Sequence, residues 1–305
     1  MAKTIVFFST KGGVGRTLIA TNLAVSLAKD EGKKVCLVDL DLQVVGDMAK
    51  MLDLNPQKAM VDLIHHFKKD QQNFKKENFI TSTSHSIDFL PAIIKPQQLP
   101  HFRPEMVTEA FSILDKNYDY IIIDAGKTFS DMFVTTLNQA NLILLIVSPD
   151  VLSIYQTKWA LDTLQFLHFP LNMIRVVLNR AESVSGISWQ EVRVTLPVDI
   201  IARLPSEGRA VGQAVNRGVP VVIDNPKTRF ALAMKKFAHD LESDAGIFLE
   251  HKQIDQLKLK DVSIEKTGDF WQKQGIVEPL SESAVSDEDT DEILLLKRRI
   301  HSRII

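Results

Sequence analysis

Short runs of β-branched and aromatic residues alternate with longer segments of helical period from the first residues onward. "KTIVFFS" at 3–9 is followed by a helix-patterned segment at about 17–30 and then by "KKVCLVDL", the order that a strand, its covering helix and a second parallel strand produce. Further strands are expected at "SIDFLPA", "YDYIIIDA", "NLILLIVS", "MIRVVLNR" and "VDIIARLP". Most are apolar at every position rather than at alternate ones, which suits strands covered by helices on both faces. Segments near 104–116, 130–140, 152–168, 207–218 and 228–242 have helical spacing, and several open on Ser, Thr, Asp or Pro. The pattern predicts an α/β fold: a doubly wound, mostly parallel sheet with helices on both faces.

This alternation stops near Asp244, so residues 1–244 are expected to form the folded domain. The stretch 245–292, richer in Lys, Gln, Glu and Ser and closing in "SESAVSDEDTDE", reads as a partly disordered linker. In the final segment 293–305, acids precede Lys297, Arg298, Arg299 and Arg303, a charge order that favours a helix. Ile293, Leu296, Ile300 and Ile304 share one stripe of that helix while Leu295 falls away from it. Such a basic, imperfectly amphipathic tail is expected to dock on a partner or on an anionic membrane surface, where four bases contribute up to roughly 4 kcal/mol before the preceding acids offset part of it.

The chain has 305 residues, 45% of them apolar, enough for one large or two smaller domains with a true core. Its 36 basic and 38 acidic residues nearly balance, so no global field points to nucleic acid. No dense Lys/Arg stripe occurs in 1–242, and DNA is not an expected partner. The single cysteine, Cys36, sits in an apolar run and reads as a buried hydrophobe. His65 and His66 are adjacent on a helix-patterned segment and cannot both face one metal ion. With no leader-like opening and no apolar run of membrane-spanning length, a cytoplasmic location is expected.

Candidate chemistry concentrates at the end of the first strand. Thr10-Lys11-Gly12-Gly13-Val14-Gly15-Arg16-Thr17 has the glycine spacing of a loop that turns its backbone N–H groups toward a phosphate chain at a helix N-terminus. Thr10 stands at the first glycine position and Arg16 at the lysine position, while Thr17 keeps the hydroxyl expected to ligate Mg²⁺. The loop resembles the deviant Walker A motif of the ParA/MinD ATPase family, in which an early lysine, here Lys11, reaches the partner's nucleotide across a dimer interface. That resemblance implies an ATP-sandwich homodimer using ATP or ADP with Mg²⁺.

Three further elements continue the resemblance in order. "VDLDLQVVGD" is similar to switch I, which implies that Asp41 orients the attacking water and Asp39 supports Mg²⁺. "YDYIIIDAG" is similar to Walker B, which implies that Asp124 holds Mg²⁺ through water and that the Gly126 N–H faces the γ-phosphate. "VVLNRA" places Asn179, followed by Arg180, where the family recognises adenine, and "LPSEG" supplies Pro205 and Ser206 on the other side of the base. Together with Val14 and Leu18 of the loop and its helix, these complete the expected nucleotide site. Lys127, directly after Gly126, departs from the small or proline residue usual there; pairing with Asp131 or perturbation of switch II are the two expectations for it. Arginine at position 16 retains charge, but a broad planar guanidinium does not fit the socket of a compact ammonium. Since phosphoryl transfer depends on positioning and electrostatics, binding should survive while hydrolysis is slow or lost.

Beyond switch I, "DLDLQVVGDMAKMLDLNPQKAMVDLI" lacks the family's common Asp-Pro-Gln-Gly continuation and resembles the CpaE/TadZ branch, a likeness that "SPDVLSIYQTKWALDTL" and "LPVDIIARLPSEGRAVGQAVNRGVPVV" extend over about 3–242. It implies an assembly and positioning factor for Flp/Tad-type type IV pili, recruited to a cell pole or the inner face of the membrane. "LLLKRRIHSRII" is similar to the opening helix of CpaF-type secretion ATPases, which names such a motor, or another pilus assembly protein, as an expected partner. The alternative is an active MinD/ParA-like ATPase that cycles on membrane or, as the weaker option, on DNA.

Overall fold

The first apolar run forms β1 (Lys3–Phe8), which lies inside an eight-stranded sheet. In this computed structural model the residues described are 1–71, 75–182 and 187–250, all within the unit Met1–Asp261. The tail expected at 293–305, and the linker from 251 onward, lie outside the described residues.

The other strands are β2 (Val35–Asp39), β3 (Thr81–Ser82), β4 (Asp88–Pro91), β5 (Tyr120–Asp124), β6 (Leu142–Val147), β7 (Ile174–Asn179) and β8 (Ile200–Leu204). Their spatial order is β3-β4-β2-β5-β1-β6-β7-β8. Every neighbouring pair is parallel except β3 with β4. The sequence pattern anticipates all the parallel strands. It misses β3, whose two residues are too few to show a period.

Helices cover both faces, as all-apolar strands require. They are α1 (Arg16–Lys29), α2 (Asp47–Met51), α3 (Met60–Lys69), α4 (Pro104–Leu114), α5 (Asp131–Leu137), α6 (Val151–Phe166), α7 (Trp189–Thr195), α8 (Gly208–Arg217), α9 (Val221–Asp224) and α10 (Arg229–Ser243). Alternate strand residues feed two separate cores. Val6, Phe8, Val38, Ile121 and Ile123 pack with α3 to α7, whereas Ile5, Phe7, Leu37, Tyr120 and Ile122 pack with α1, α2 and α8 to α10. Helix α1 is buried over most of its circumference, which explains its lack of a polar stripe. Side-chain caps start α5, α6 and α10, where Ser130, Asp150 and Thr228 accept backbone N–H groups.

Past α10 the chain remains tied to the sheet. Leu249 N–H donates to the Asn141 carbonyl at 3.0 Å, the Asn141 amide donates back to Leu249 at 2.8 Å, and Ile247 is buried. At the opposite end of β1 from the phosphate loop, Glu242 of α10 accepts from the Tyr120 hydroxyl and from Lys33, both at 2.5 Å.

Candidate functional site

Strand order decides which residues meet. In open α/β sheets ligands bind beyond the carboxyl ends of strands where connections depart in opposite directions. Here that point is the end of β1, between β5 and β6. Register sets Asp39 beside Asp124 and Phe7 beside Asp124, so residues distant in sequence converge over the start of α1. Asn179 pairs with Leu204, which places Pro205 and Ser206 just beyond it on the same sheet edge.

The glycines of the loop answer to contacts as well as to conformation. Gly15 caps α1 at φ 93°, and a Cβ there would stand 2.5 Å from the Asn179 amide nitrogen. That amide donates to the Val14 carbonyl at 2.7 Å while its oxygen accepts the Arg180 N–H at 2.9 Å. Asn179, expected to read adenine, is thus engaged here in bracing the phosphate loop. Arg180 reaches the Gly13 carbonyl at 3.4 Å. Leu18 follows in the first turn of α1, its carbonyl accepting from Asn22.

Arg16 turns inward rather than along the loop. Its Nη2 donates to Asp41 Oδ2 at 2.5 Å, its Nε to Asp124 Oδ1, and its Nη1 to Ser9 Oγ at 3.3 Å. Only 8% of the arginine is exposed and 1% of Asp124, so these are low-dielectric contacts. Thr17 Oγ1 donates to Asp124 Oδ2 at 2.5 Å, and Gly126 N–H to Asp124 Oδ1 at 3.3 Å. In this arrangement the Gly126 N–H, expected to face a phosphate, serves the Walker B carboxylate.

The electrostatics explain why a cation belongs there. Burial and the adjacent Asp124 push the Asp39 carboxyl well above the ordinary carboxylate range. Asp124 is likewise raised by burial, against the pull of Arg16 and Thr17. Three carboxylates at the ends of two adjacent strands repel one another, and the guanidinium joins Asp41 to Asp124. Oxygen donors of this kind, a threonine hydroxyl and carboxylates, fit a magnesium ion in chemical type. Thr17 would ligate it directly, with Asp39 and Asp124 holding it through water.

Lys11, expected to cross a dimer interface, pairs within its own chain: Nζ lies 2.7 Å from Asp150 Oδ1. Asp150 also accepts the Ser153 N–H as the cap of α6. Partial burial acts to raise its carboxyl, but these bonds outweigh it and hold it below the ordinary value. The pattern S-P-D before a helix reveals the cap, and nothing in it reveals Lys11 as a partner. Ser9, too, carries no sequence signal for its place beside Arg16. The switch I-like loop after Asp39 is joined to the segment that follows Gly126, in the place of switch II, by Gln43, whose amide donates to Thr128 Oγ1 at 2.6 Å. Between them lies a recess lined by Asp41, Gly126, Lys127 and Thr128.

A family model described as an AAA domain matches residues 2–174. The septum site-determining protein MinD of Thermotoga maritima is 27% identical over 286 residues, spanning 90% of this chain and 98% of that protein. Among solved structures, a ParA family ATPase from Chlorobium tepidum superposes with a TM-score of 0.73 at 24% identity, covering 78% of this chain and 99% of that one. MinD of Pyrococcus horikoshii, solved with Mg-ADP, superposes with a TM-score of 0.68 at 23% identity over 81% of this chain and 98% of its own. With the sheet order, the phosphate loop and the two switch aspartates in place, the chain belongs to the AAA-domain family, among its ParA/MinD-type P-loop ATPases.

Proposed function

We propose that the protein is a nucleotide-gated positioning factor that binds ATP or ADP with Mg²⁺ as a homodimer and hydrolyses ATP slowly or not at all. The observation that carries this reading is the Arg16 bridge between Asp41 and Asp124. The carboxylate that would orient water is neutralised by the cation that would otherwise face phosphate, so binding and turnover are separated in one side chain. A magnesium ion bound beside Thr17 would neutralise the phosphate chain. The protein's own part is the N–H cradle of Gly12 to Thr17, with Asn179, Arg180, Pro205 and Ser206 at the base end.

A second copy of the chain is the natural occupant of the face that starts at Lys11. From the Asp150 cap onward, α6 exposes Val151, Leu152, Tyr155 and Trp159, each more than half accessible at 70%, 62%, 70% and 56%. An apolar stripe next to a lysine suited to a partner's phosphates fits a nucleotide-completed interface. The finer assignment to Flp/Tad pilus assembly, acting with a CpaF-type motor at a pole or the inner membrane face, rests on the CpaE/TadZ-like run after switch I.

Near full-length similarity to MinD favours one other reading, an ATPase cycling on a membrane. Among the described residues no helix is long and apolar enough to cross a membrane. Calorimetric titration with Mg-ATP together with a phosphate-release assay, with and without anionic vesicles, separates the two. Binding with negligible release in both conditions supports the positioning factor. Ordinary release rates that rise with vesicles and vanish in Asp41→Ala support the cycling ATPase.

A further inference from the structure

The cations around the phosphate loop are unequally committed. Arg16 is held by Asp41 and Asp124, Lys11 by Asp150, and Arg180 by the Gly13 carbonyl. Lys127 differs from all three. Its Nζ lies 3.9 Å from the point where a Gly12 Cβ would stand, and among the described residues it makes no ion pair, with Asp131 or any other carboxylate. The ammonium therefore lies beside Gly12, at the start of the phosphate loop, with its hydrogen-bonding capacity unspent.

We propose that Lys127 is the phosphate-binding lysine of this site, supplied by switch II in place of the loop lysine that Arg16 replaced. The inference deepens the nucleotide-binding reading and rests on it. Three features place the contact at the terminal phosphate. Lys127 follows Gly126, whose φ of 76° permits a sharp reversal of the chain. It lines the same recess as Asp41, the residue expected beside the attacked phosphorus. Switch segments are the parts of such sites that respond to the last phosphate. A lysine is a compact point charge on a flexible stem, suited to contact a phosphate from outside the loop where a planar guanidinium within it is already paired. Because Lys127 is exposed, its replacement leaves the core intact.

Titration calorimetry of the full chain with ATP and with ADP, in wild type, Lys127→Gln, Lys127→Arg and the exposed-lysine control Lys95→Gln, tests this. Lys127→Gln should weaken ATP about tenfold and ADP less than about threefold, as expected for loss of one charge-assisted contact. Lys127→Arg should restore most of the ATP affinity, and Lys95→Gln should match wild type. If wild type binds ATP and Lys127→Gln binds it equally well, the phosphate-lysine proposal falls while nucleotide binding stands. Equal losses for Lys127→Gln and Lys95→Gln overturn it as well, since they would reflect net charge alone. If wild type binds neither nucleotide, both the proposal and the reading beneath it fail.

Discussion

Arg16 Nη2 donates to Asp41 Oδ2 at 2.5 Å, so the cation of the phosphate loop and the carboxylate of switch I neutralise each other. The guanidinium can do this because it is longer than an ammonium and branches, which lets a second nitrogen serve Asp124. Position 16 is thereby a structural tie between loop, switch and Walker B strand rather than a phosphate-facing charge.

Removing that tie should be expensive. Arg16→Ala leaves Asp124, exposed only 1%, and Asp41 without the counter-charge that pairs them. Breaking such a pair costs about 3 kcal/mol or more, and for a domain of this size the melting temperature should fall by about 6–12 °C. Thermal melting by circular dichroism checks it. A melting point within about 2 °C of wild type would mean that the two carboxylates manage without the arginine.

Gly15→Ala combines two faults, a side chain at φ 93° and a Cβ 2.5 Å from the Asn179 amide. Strain of about 1–3 kcal/mol is expected, together with displacement of the Asn179 brace from the Val14 carbonyl. ATP affinity measured by calorimetry should drop at least about tenfold. Asn179→Ala should lower it by a smaller factor, since the loop keeps its glycine geometry.

The Lys11–Asp150 pair must open before Lys11 can reach a second copy. Both side chains are about one-third exposed, so the pair contributes less than about 1 kcal/mol. Asp150→Ser keeps the cap of α6 and frees the lysine, and should strengthen ATP-dependent dimerisation by no more than about fivefold in sedimentation velocity. Lys11→Ala should abolish it. Dimerisation unchanged in Lys11→Ala would remove the lysine from the interface.

The remote anchor of α10 has a pH signature. Burial acts to raise the Glu242 carboxyl, but hydrogen bonds from Lys33 and Tyr120 outweigh it and hold the group below its ordinary value of 4.5. A depressed folded value means that its stabilisation is complete above 4.5 and is lost as pH falls through the lower folded one. Glu242→Gln should therefore cost about 1 kcal/mol at neutral pH, and urea titrations should show the gap to wild type closing only in acid. A gap that widened in acid would contradict this.

Much of this is legible in the sequence. Asp39, Asp124 and Asn179 each close an all-apolar run, so they had to stand at carboxyl strand ends, and a parallel sheet brings those ends together. Glycine spacing likewise locates the cradle before α1. What periodicity cannot show is which carboxylate a long side chain reaches. Arg16 meeting Asp41 and Asp124, Lys11 meeting Asp150, and Lys127 lying beside Gly12 all depend on loop paths between strands. The two-residue β3 escapes for a simpler reason, that no period fits in so short a run.

Single-turnover phosphate release from preloaded Mg-ATP, comparing wild type with Arg16→Lys, is the most direct test of the Arg16–Asp41 tie as the restraint on hydrolysis. Lysine returns a compact charge to the loop and cannot bridge both aspartates, so release should accelerate at least about tenfold over wild type and be lost again in the Arg16→Lys, Asp41→Ala double variant. Rapid release from wild type, or an Arg16→Lys rate no faster than it at equal ATP occupancy, would contradict that restraint.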